Sequence, residues 1–218
     1  MSHIAVINTG INNLKSIVGA INYLGYKTIV TNDKEKIMNS AALIVPGVGS
    51  YPAGMKKLKK AGLDIIIKEY FKKGKPILAI CLGFQMLFKS SDEFKITKGL
   101  SFLSGQVRSL KSLKTKEIIP NLGWRKINFT NNKKNFLFQK ISPKPKLYFI
   151  HSYCVETTNK KYITSTTEFG RKKIVSSIQY KNLFGVQFHP EKSGYGGLQI
   201  IKNFLKKSKN LKFNEDKI

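Results

Sequence analysis

Residues Lys75–Phe88 read KPILAICLGFQMLF. Pro76 to Ile80 is a short, mostly apolar run of the kind that forms a buried strand. The segment from Leu82 to about Lys89 has helical character. Cys81 therefore stands where a strand breaks sharply into a helix, and the elements on either side decide what that junction is.

Toward the N-terminus the chain alternates between two periods. Leu63, Ile66, Ile67, Tyr70 and Phe71 mark a helix that closes at Gly74, and Ala42 to Val45 is an apolar strand stopped by Pro46-Gly47-Val48-Gly49. Asp33 to Met38 reads as a short helix and Tyr26 to Thr31 as a strand. Leu14, Ile17, Val18, Ile21 and Leu24 form a helix ended by Gly25, and His3 to Asn8 opens the chain as a strand. Strand and helix in strict alternation give a mostly parallel sheet covered on both faces. After about Gly99 the texture changes to β-like runs at Gly105–Leu110, Arg125–Phe129, Leu147–His151, Tyr162–Thr167 and Ile174–Gln179, so the sheet is expected to gain antiparallel strands. A last strand, Leu183 to Phe188, runs into His189-Pro190-Glu191, and a helix follows from Gly197 to about Lys207. The fold class is thus α/β, a mixed, mostly parallel, flavodoxin-like sheet. It is expected to be one domain over residues 1–208, with Asn131–Asn135 as a loop tip and 209–218 as a polar, frayed tail.

Composition narrows the function. Apolar residues make up 41% of 218, enough for a real core, and no apolar run reaches the ~20 residues of a membrane helix. The opening MSHIAVINTG lacks the layout of a secretory signal. With two cysteines, Cys81 and Cys154, the chain reads as reduced and cytoplasmic, with no membrane partner. The net charge is +27, yet only Arg108, Arg125 and Arg171 are arginine, and the lysines are scattered. Bidentate recognition of bases and phosphates favours arginine. The composition looks like the drift of an AT-rich genome, and no nucleic-acid partner is expected.

Three segments fall at strand ends where ligands collect in an open parallel sheet: PGVGSY, CLGFQ and HPEKSG. A tight strand-to-helix turn lifts Cys81 clear of the backbone, and a helix N-terminus favours a thiolate. A thiolate needs a base and the base an orienter, roles that His189 and Glu191 can fill. Pro190 holds His189 extended. If Glu191 continues extended, both side chains project to the same side. The N–H of Leu82 and the Val48-Gly49 turn are candidate oxyanion donors. His3, His151 and Cys154 read as structural, and Trp124 as either a core or an interface aromatic. No metal site and no cofactor is expected.

AICLGFQ, PGVGSY and GVQFHPEKSG resemble the class I (triad) glutamine amidotransferases. NLGW at Asn121–Trp124, YFIHSY at Tyr148–Tyr153 and HPEKSG at His189–Gly194 are similar to the glutaminase subunits of imidazole glycerol phosphate synthase. That resemblance implies attack by Cys81 on the side-chain amide of glutamine, with Gln85 helping to hold the substrate. It also implies transfer of ammonia within a heterodimer to a cyclase of (β/α)8 fold, with Asn13 and Lys192 at the interface. In the family the PGVG peptide units turn into an oxyanion hole when the partner signals. Two departures stand out: Ala79 replaces the usual glycine two before the nucleophile, and the N-terminal loop reads NTGINNL without the family's acidic residue and tyrosine. Two other readings stay open: from these departures, a paralogue feeding ammonia to a sugar nucleotide for surface polysaccharide; and from the +27 charge, a non-catalytic basic protein that binds nucleic acid.

Overall fold

The computed structural model of the protein describes residues 3–8, 10, 14–130 and 136–210. The first half runs β1 (Ile4–Val6), α1 (Leu14–Tyr23), β2 (Thr28–Val30), α2 (Lys34–Met38), β3 (Ala42–Gly47), α3 (Tyr51–Lys60), α4 (Leu63–Lys72), β4 (Ile77–Cys81) and α5 (Leu82–Gln85). The second half runs β5 (Phe88–Ser91), β6 (Thr97–Lys98), β7 (Leu103–Ser109), β8 (Asn121–Phe129), β9 (Lys146–His151), β10 (Tyr153–Glu156), β11 (Ile163–Phe169), β12 (Lys172–Tyr180), β13 (Leu183–Val186) and α6 (Gly194–Asn210).

Among the described residues a nine-stranded sheet has the order β2-β1-β3-β4-β13-β12-β11-β8-β9. Its first five strands pair in parallel and the rest antiparallel. The central strands β3 and β4 are buried at every position, which is why they read as unbroken apolar runs. Their side chains alternate between two cores. Leu43, Val45, Ile77 and Ala79 pack with α3 and α4 through Met55, Leu58, Ile67 and Tyr70. Ile44, Leu78 and Ile80 pack with α1 and α6 through Ile17, Ile21, Ile201 and Phe204. Among the described residues no helix is long and apolar enough to cross a membrane.

Three expectations need correction. The helix after Cys81 ends at Gln85 instead of near Lys89, because Phe88–Ser91 leaves as β5. β5 belongs to a second sheet, β10-β7-β5-β6, where the sequence pattern suggests a single one. The Leu100 N–H donates to the Met86 carbonyl at 2.8 Å and Gly99 N–H to that of Lys89 at 2.8 Å, so neighbouring chain takes the bonds a longer helix would use. Third, α3 is an additional helix. Its Pro52 and Gly54 look like loop residues, but a proline in the first helical turn is compatible with a helix.

Register places the site. Gly47, the last residue of β3, lies opposite Cys81, and Val186 of β13 opposite Ile80. The carboxyl ends of β3, β4 and β13 are therefore side by side, and the three chemistry-bearing segments leave from them. The edge strand β9 curls back over this end. The Tyr148 carbonyl accepts from His189 N–H at 2.9 Å, and the Tyr148 N–H donates to Ser193 Oγ at 2.9 Å. Those bonds cover an edge that would otherwise be open.

Candidate active site

Cys81 sits at φ +54°, ψ −108°, outside the regions open to residues with a side chain. The bend is held from both sides. Gly83 passes so close beneath β3 that a Cβ there would overlap the Val45 carbonyl oxygen. On the face under α5, Ala79 lies between Val45 and Gly185, and the absent side chain of Gly185 leaves room for the Phe84 ring. The extra methyl of Ala79 is accommodated on that face.

His189 is extended (φ −98°, ψ 96°), as Pro190 requires. Glu191 is not: Pro190–Lys192 form a 3-10 turn. The expected two-residue alternation is thus corrected, yet the turn carries the carboxylate to the same ring, with Glu191 Oε1 2.7 Å from His189 Nδ1. Both side chains are buried, 4% and 6% exposed. The other ring nitrogen, Nε2, is buried and makes no well-directed hydrogen bond among the described residues, while the Cys81 sulfur is close enough to act on the ring. Burial lowers the proton affinity of His189, but the Cys81 sulfur and the Glu191 carboxylate outweigh it and raise the pKa to about 10. The Cys81 sulfur itself has two long polar contacts, Ile150 O at 3.9 Å and Gln187 Nε2 at 3.8 Å.

Cys81, His189 and Ile150 line a cavity of about 340 Å³ with Val48, Gly49, Leu82, Gln85, Glu93, Ser152, Tyr153 and Lys192, and Glu191 and Gln187 stand behind its wall. Gly49 has φ +88°, a conformation that leaves its peptide units free of the usual steric limits. Gln85 reaches the cavity but is already engaged: its Nε2 donates to Tyr153 O at 2.9 Å and to Gln187 Oε1 at 3.0 Å. Lys192 is exposed at the rim. Asn13 lies outside the described residues, as do Asn131–Asn135 and 211–218. His3 is peripheral, with its ring bonded to Lys36 O at 2.8 Å. Cys154 is free, buried and far from ionising, its thiol pushed up to about 12 by burial and by Glu156 and Asp92. Trp124 is 52% exposed and meets Tyr148 edge-on, so it is not a core residue.

The structure adds three residues to the site to which the sequence reading gives no role there: Gln187 and His151, inside quoted motifs, and Glu93, outside them. Gln187 is two before His189, so the alternation of an extended chain puts both on one side; that signal is present in the sequence. Glu93, one of only 12 acidic residues, lines the cavity and accepts the Tyr51 N–H at the start of α3 at 2.6 Å. Burial raises its pKa, with the Tyr51 bond opposing and Asp92 adding to the rise. His151, which reads as structural, does more than pack. It is buried, hydrogen-bonded through both nitrogens, and forms part of the cavity wall.

Burial first, then His189 and Arg125, push the His151 pKa down to about 4 against the opposing bond to Tyr153. In the unfolded chain the ring protonates near its ordinary value of 6.5. The unfolded state therefore takes up the proton first as pH falls, and His151 costs the fold stability between about 6.5 and about 4. The loss is on the order of 3 kcal/mol at most. Thermal unfolding across that range should show a steeper decline for the native chain than for His151→Gln.

The profile of the family described as Glutamine amidotransferase class-I matches residues 5–208. The imidazole glycerol phosphate synthase subunit HisH of Moorella thermoacetica is 41% identical over 205 residues, covering 94% of each chain. The subunit named HisH 2 of Methanococcus maripaludis is 40% identical over 94% of this chain and 100% of its own. The chain belongs to the HisH family of class I glutamine amidotransferases. Among solved structures, the fold recurs in PurLQS from Thermotoga maritima. That structure has a TM-score of 0.73 at 18% identity and covers 94% of this chain and 98% of that one. The strained cysteine, the carboxylate-bound imidazole and their shared cavity are thus features of a HisH-family chain.

Proposed function

We propose that Cys81, His189 and Glu191 form the catalytic triad of this protein. The protein is the glutaminase subunit of imidazole glycerol phosphate synthase, in histidine biosynthesis, and glutamine is its substrate. One observation carries the assignment of residues: a buried imidazole, bound to a carboxylate by one nitrogen and without a well-directed hydrogen bond at the other, shares a cavity with a cysteine on a strained turn.

The steps follow from that geometry. Cys81 Sγ attacks the side-chain carbonyl carbon of glutamine, and His189 takes the thiol proton. The Glu191 carboxylate at Nδ1 favours the charged ring, which hands that proton to the leaving nitrogen. The C–N bond breaks, ammonia leaves carrying the proton, and a thioester remains on Cys81. Water, deprotonated by His189, attacks the thioester; glutamate leaves and the thiol is restored. Glu191 holds the ring in register throughout. The Leu82 N–H and a peptide unit at Val48-Gly49 receive the negative charge on the carbonyl oxygen. Glu93 and Lys192, of opposite charge on one cavity, suit the ammonium and carboxylate of an amino acid. Gln85 faces the same space as a substrate-holding residue.

The ammonia passes to the cyclase subunit, which we take to be a (β/α)8 barrel. Leu122, Trp124 and Ile150 are exposed together on the β8–β9 hairpin, and Ile150 and Lys192 reach the cavity itself. An apolar surface at the mouth of an ammonia-producing site fits a docked partner that keeps the product unprotonated. Asn13 is a proposed contact with that partner. Neither the sugar-nucleotide paralogue nor the nucleic-acid reading is favoured by membership of the HisH family.

Gating of the oxyanion donors by the partner gives a direct test. Glutaminase turnover should be weak in the isolated protein and rise about a hundredfold or more with the cyclase and its ligand, the worth of one aligned donor. Full turnover without the cyclase would defeat this reading of the gate.

A further inference from the structure

A continuous chain of hydrogen bonds joins the surface to the reacting sulfur, and most of it lies outside the triad. Arg125 Nε donates to Asn121 Oδ1 at 2.9 Å. Asn121 Nδ2 lies 2.9 Å from His151 Nε2, and His151 Nδ1 lies 2.8 Å from the Tyr153 carbonyl. That carbonyl also accepts from Gln85 Nε2, which donates in turn to Gln187 Oε1, and Gln187 Nε2 reaches Cys81 Sγ. Asn121 and Gln187 are fully buried, and His151 and Gln85 are nearly so.

The direction of each bond is determined. Arginine has only donors, so the Asn121 oxygen must face it and the Asn121 amide nitrogen must face the imidazole. His151 Nε2 therefore accepts, and its proton is on Nδ1, where a carbonyl oxygen awaits it. We infer that His151 is a positioning residue for glutamine: the Arg125–Asn121 pair fixes it as the neutral Nδ1–H tautomer, in which it holds the Tyr153 carbonyl, and through that carbonyl Gln85, against the cavity.

The inference rests on the proposed function for its kinetic consequence and on the hydrogen-bond directions alone for the tautomer. It also gives the two imidazoles of one cavity opposite tasks. Glu191 favours charge on His189, whereas Asn121 refuses a second proton on His151. The charged and titratable groups around His151 are His189, Arg125 with Glu117 3.7 Å beyond it, and the cavity residues Cys81, Glu93, Tyr153 and Lys192. His189 and Arg125 both disfavour a cation at His151, in agreement with its lowered proton affinity.

The experiment is a ring-nitrogen NMR titration of His151 together with glutaminase kinetics, both on the complex with the cyclase. The native ring should remain an Nδ1–H neutral imidazole from pH 8 to about 5. Asn121→Asp replaces the donor facing Nε2 by an acceptor, so the ring should become doubly protonated near neutrality. That charged ring keeps its Nδ1–H, so the bond to Tyr153 survives and KM should change by less than about threefold. His151→Phe removes the Nδ1–H donor to the Tyr153 carbonyl outright and should raise KM for glutamine about tenfold, with kcat changing by less than about threefold, as expected for one lost binding-wall bond. Arg125→Met frees the Asn121 amide to rotate and should raise protonation of the ring in the same direction as Asn121→Asp, more weakly; it also serves if Asn121→Asp does not fold. A native ring that is charged or Nε2–H at neutral pH overturns the inference. So does an unchanged KM in the folded His151→Phe complex, which lacks the donor to Tyr153. A native complex without glutaminase activity would instead overturn the proposed function, and the titration would still decide the tautomer.

Discussion

Cys81→Ala should remove glutamine hydrolysis, with turnover in the cyclase complex falling on the order of 10⁴-fold or more, the scale of losing a triad nucleophile. No neighbouring group can substitute for the sulfur, because the cavity offers no other thiol or serine on a strained turn at a helix start. His189→Ala should cost nearly as much, and the double variant little more, since the two act as one unit. The fold should survive. The Cys81 sulfur makes only long contacts, at 3.9 and 3.8 Å, so cutting it back to a methyl group costs about 1 kcal/mol. Alanine bears the same backbone strain as cysteine at φ +54°, roughly 1–3 kcal/mol, and that strain is already offset by the pairing of β3 with β4. The complex should therefore still form product when ammonium salts replace glutamine. Assays with each nitrogen source check this; glutamine turnover within about tenfold of native would remove Cys81 from the mechanism.

Much of this site is legible in the sequence because its parts lie at strand ends. Parallel strands buried on both faces have an unmistakable apolar signature, and their ends are where glycine, proline and polar residues cluster. PGVG, Cys81 and His189-Pro190-Glu191 stand out for that reason. What the sequence hides is local structure decided by distant chain. FKSS at Phe88–Ser91 is a strand only because β7 and β6 flank it, and four residues with one apolar side chain have no period of their own. The 3-10 turn at Glu191 depends on β9 curling back so that Tyr148 and Ser193 bond around His189. Arg125 looks like the ordinary first member of a β run and Asn121 only like the start of the NLGW motif, yet four residues apart on β8 they orient an imidazole contributed by β9. In α3, by contrast, the signal lies in the sequence beneath a misleading proline and glycine. Tyr51, Gly54, Met55 and Leu58 keep helical spacing and are all buried, beneath a surface of lysines.

Gly83→Ala should be the most damaging single-methyl change near the site. The glycine is required by proximity, since its φ lies in the ordinary range. An added Cβ would overlap the Val45 carbonyl oxygen and press on the carbonyl carbon at 3.0 Å and on Val45 Cγ1 at 3.4 Å. Val45 cannot retreat, because β3 is fully buried and bonded to β1 on one side and β4 on the other. The elbow must move instead. Leu82 N–H and Cys81 Sγ travel with it, whereas His189 belongs to the separate segment after β13 and stays behind. Overpacking of this kind costs about 1–3 kcal/mol, and at about 2–4 °C per kcal/mol in a chain of this size Tm should fall by roughly 2–12 °C. Misalignment of the Leu82 donor should lower kcat by about 10²–10³-fold even where the protein remains folded. Gly19→Ala is the matching control, since nothing lies within 4 Å of its Cβ position and α1 favours alanine. It should leave kcat unchanged and raise Tm slightly. Calorimetry and steady-state kinetics on the two variants separate the cases. Equal behaviour would mean that β3 yields to the added methyl and that the turn at Cys81 is not held by contact with Val45.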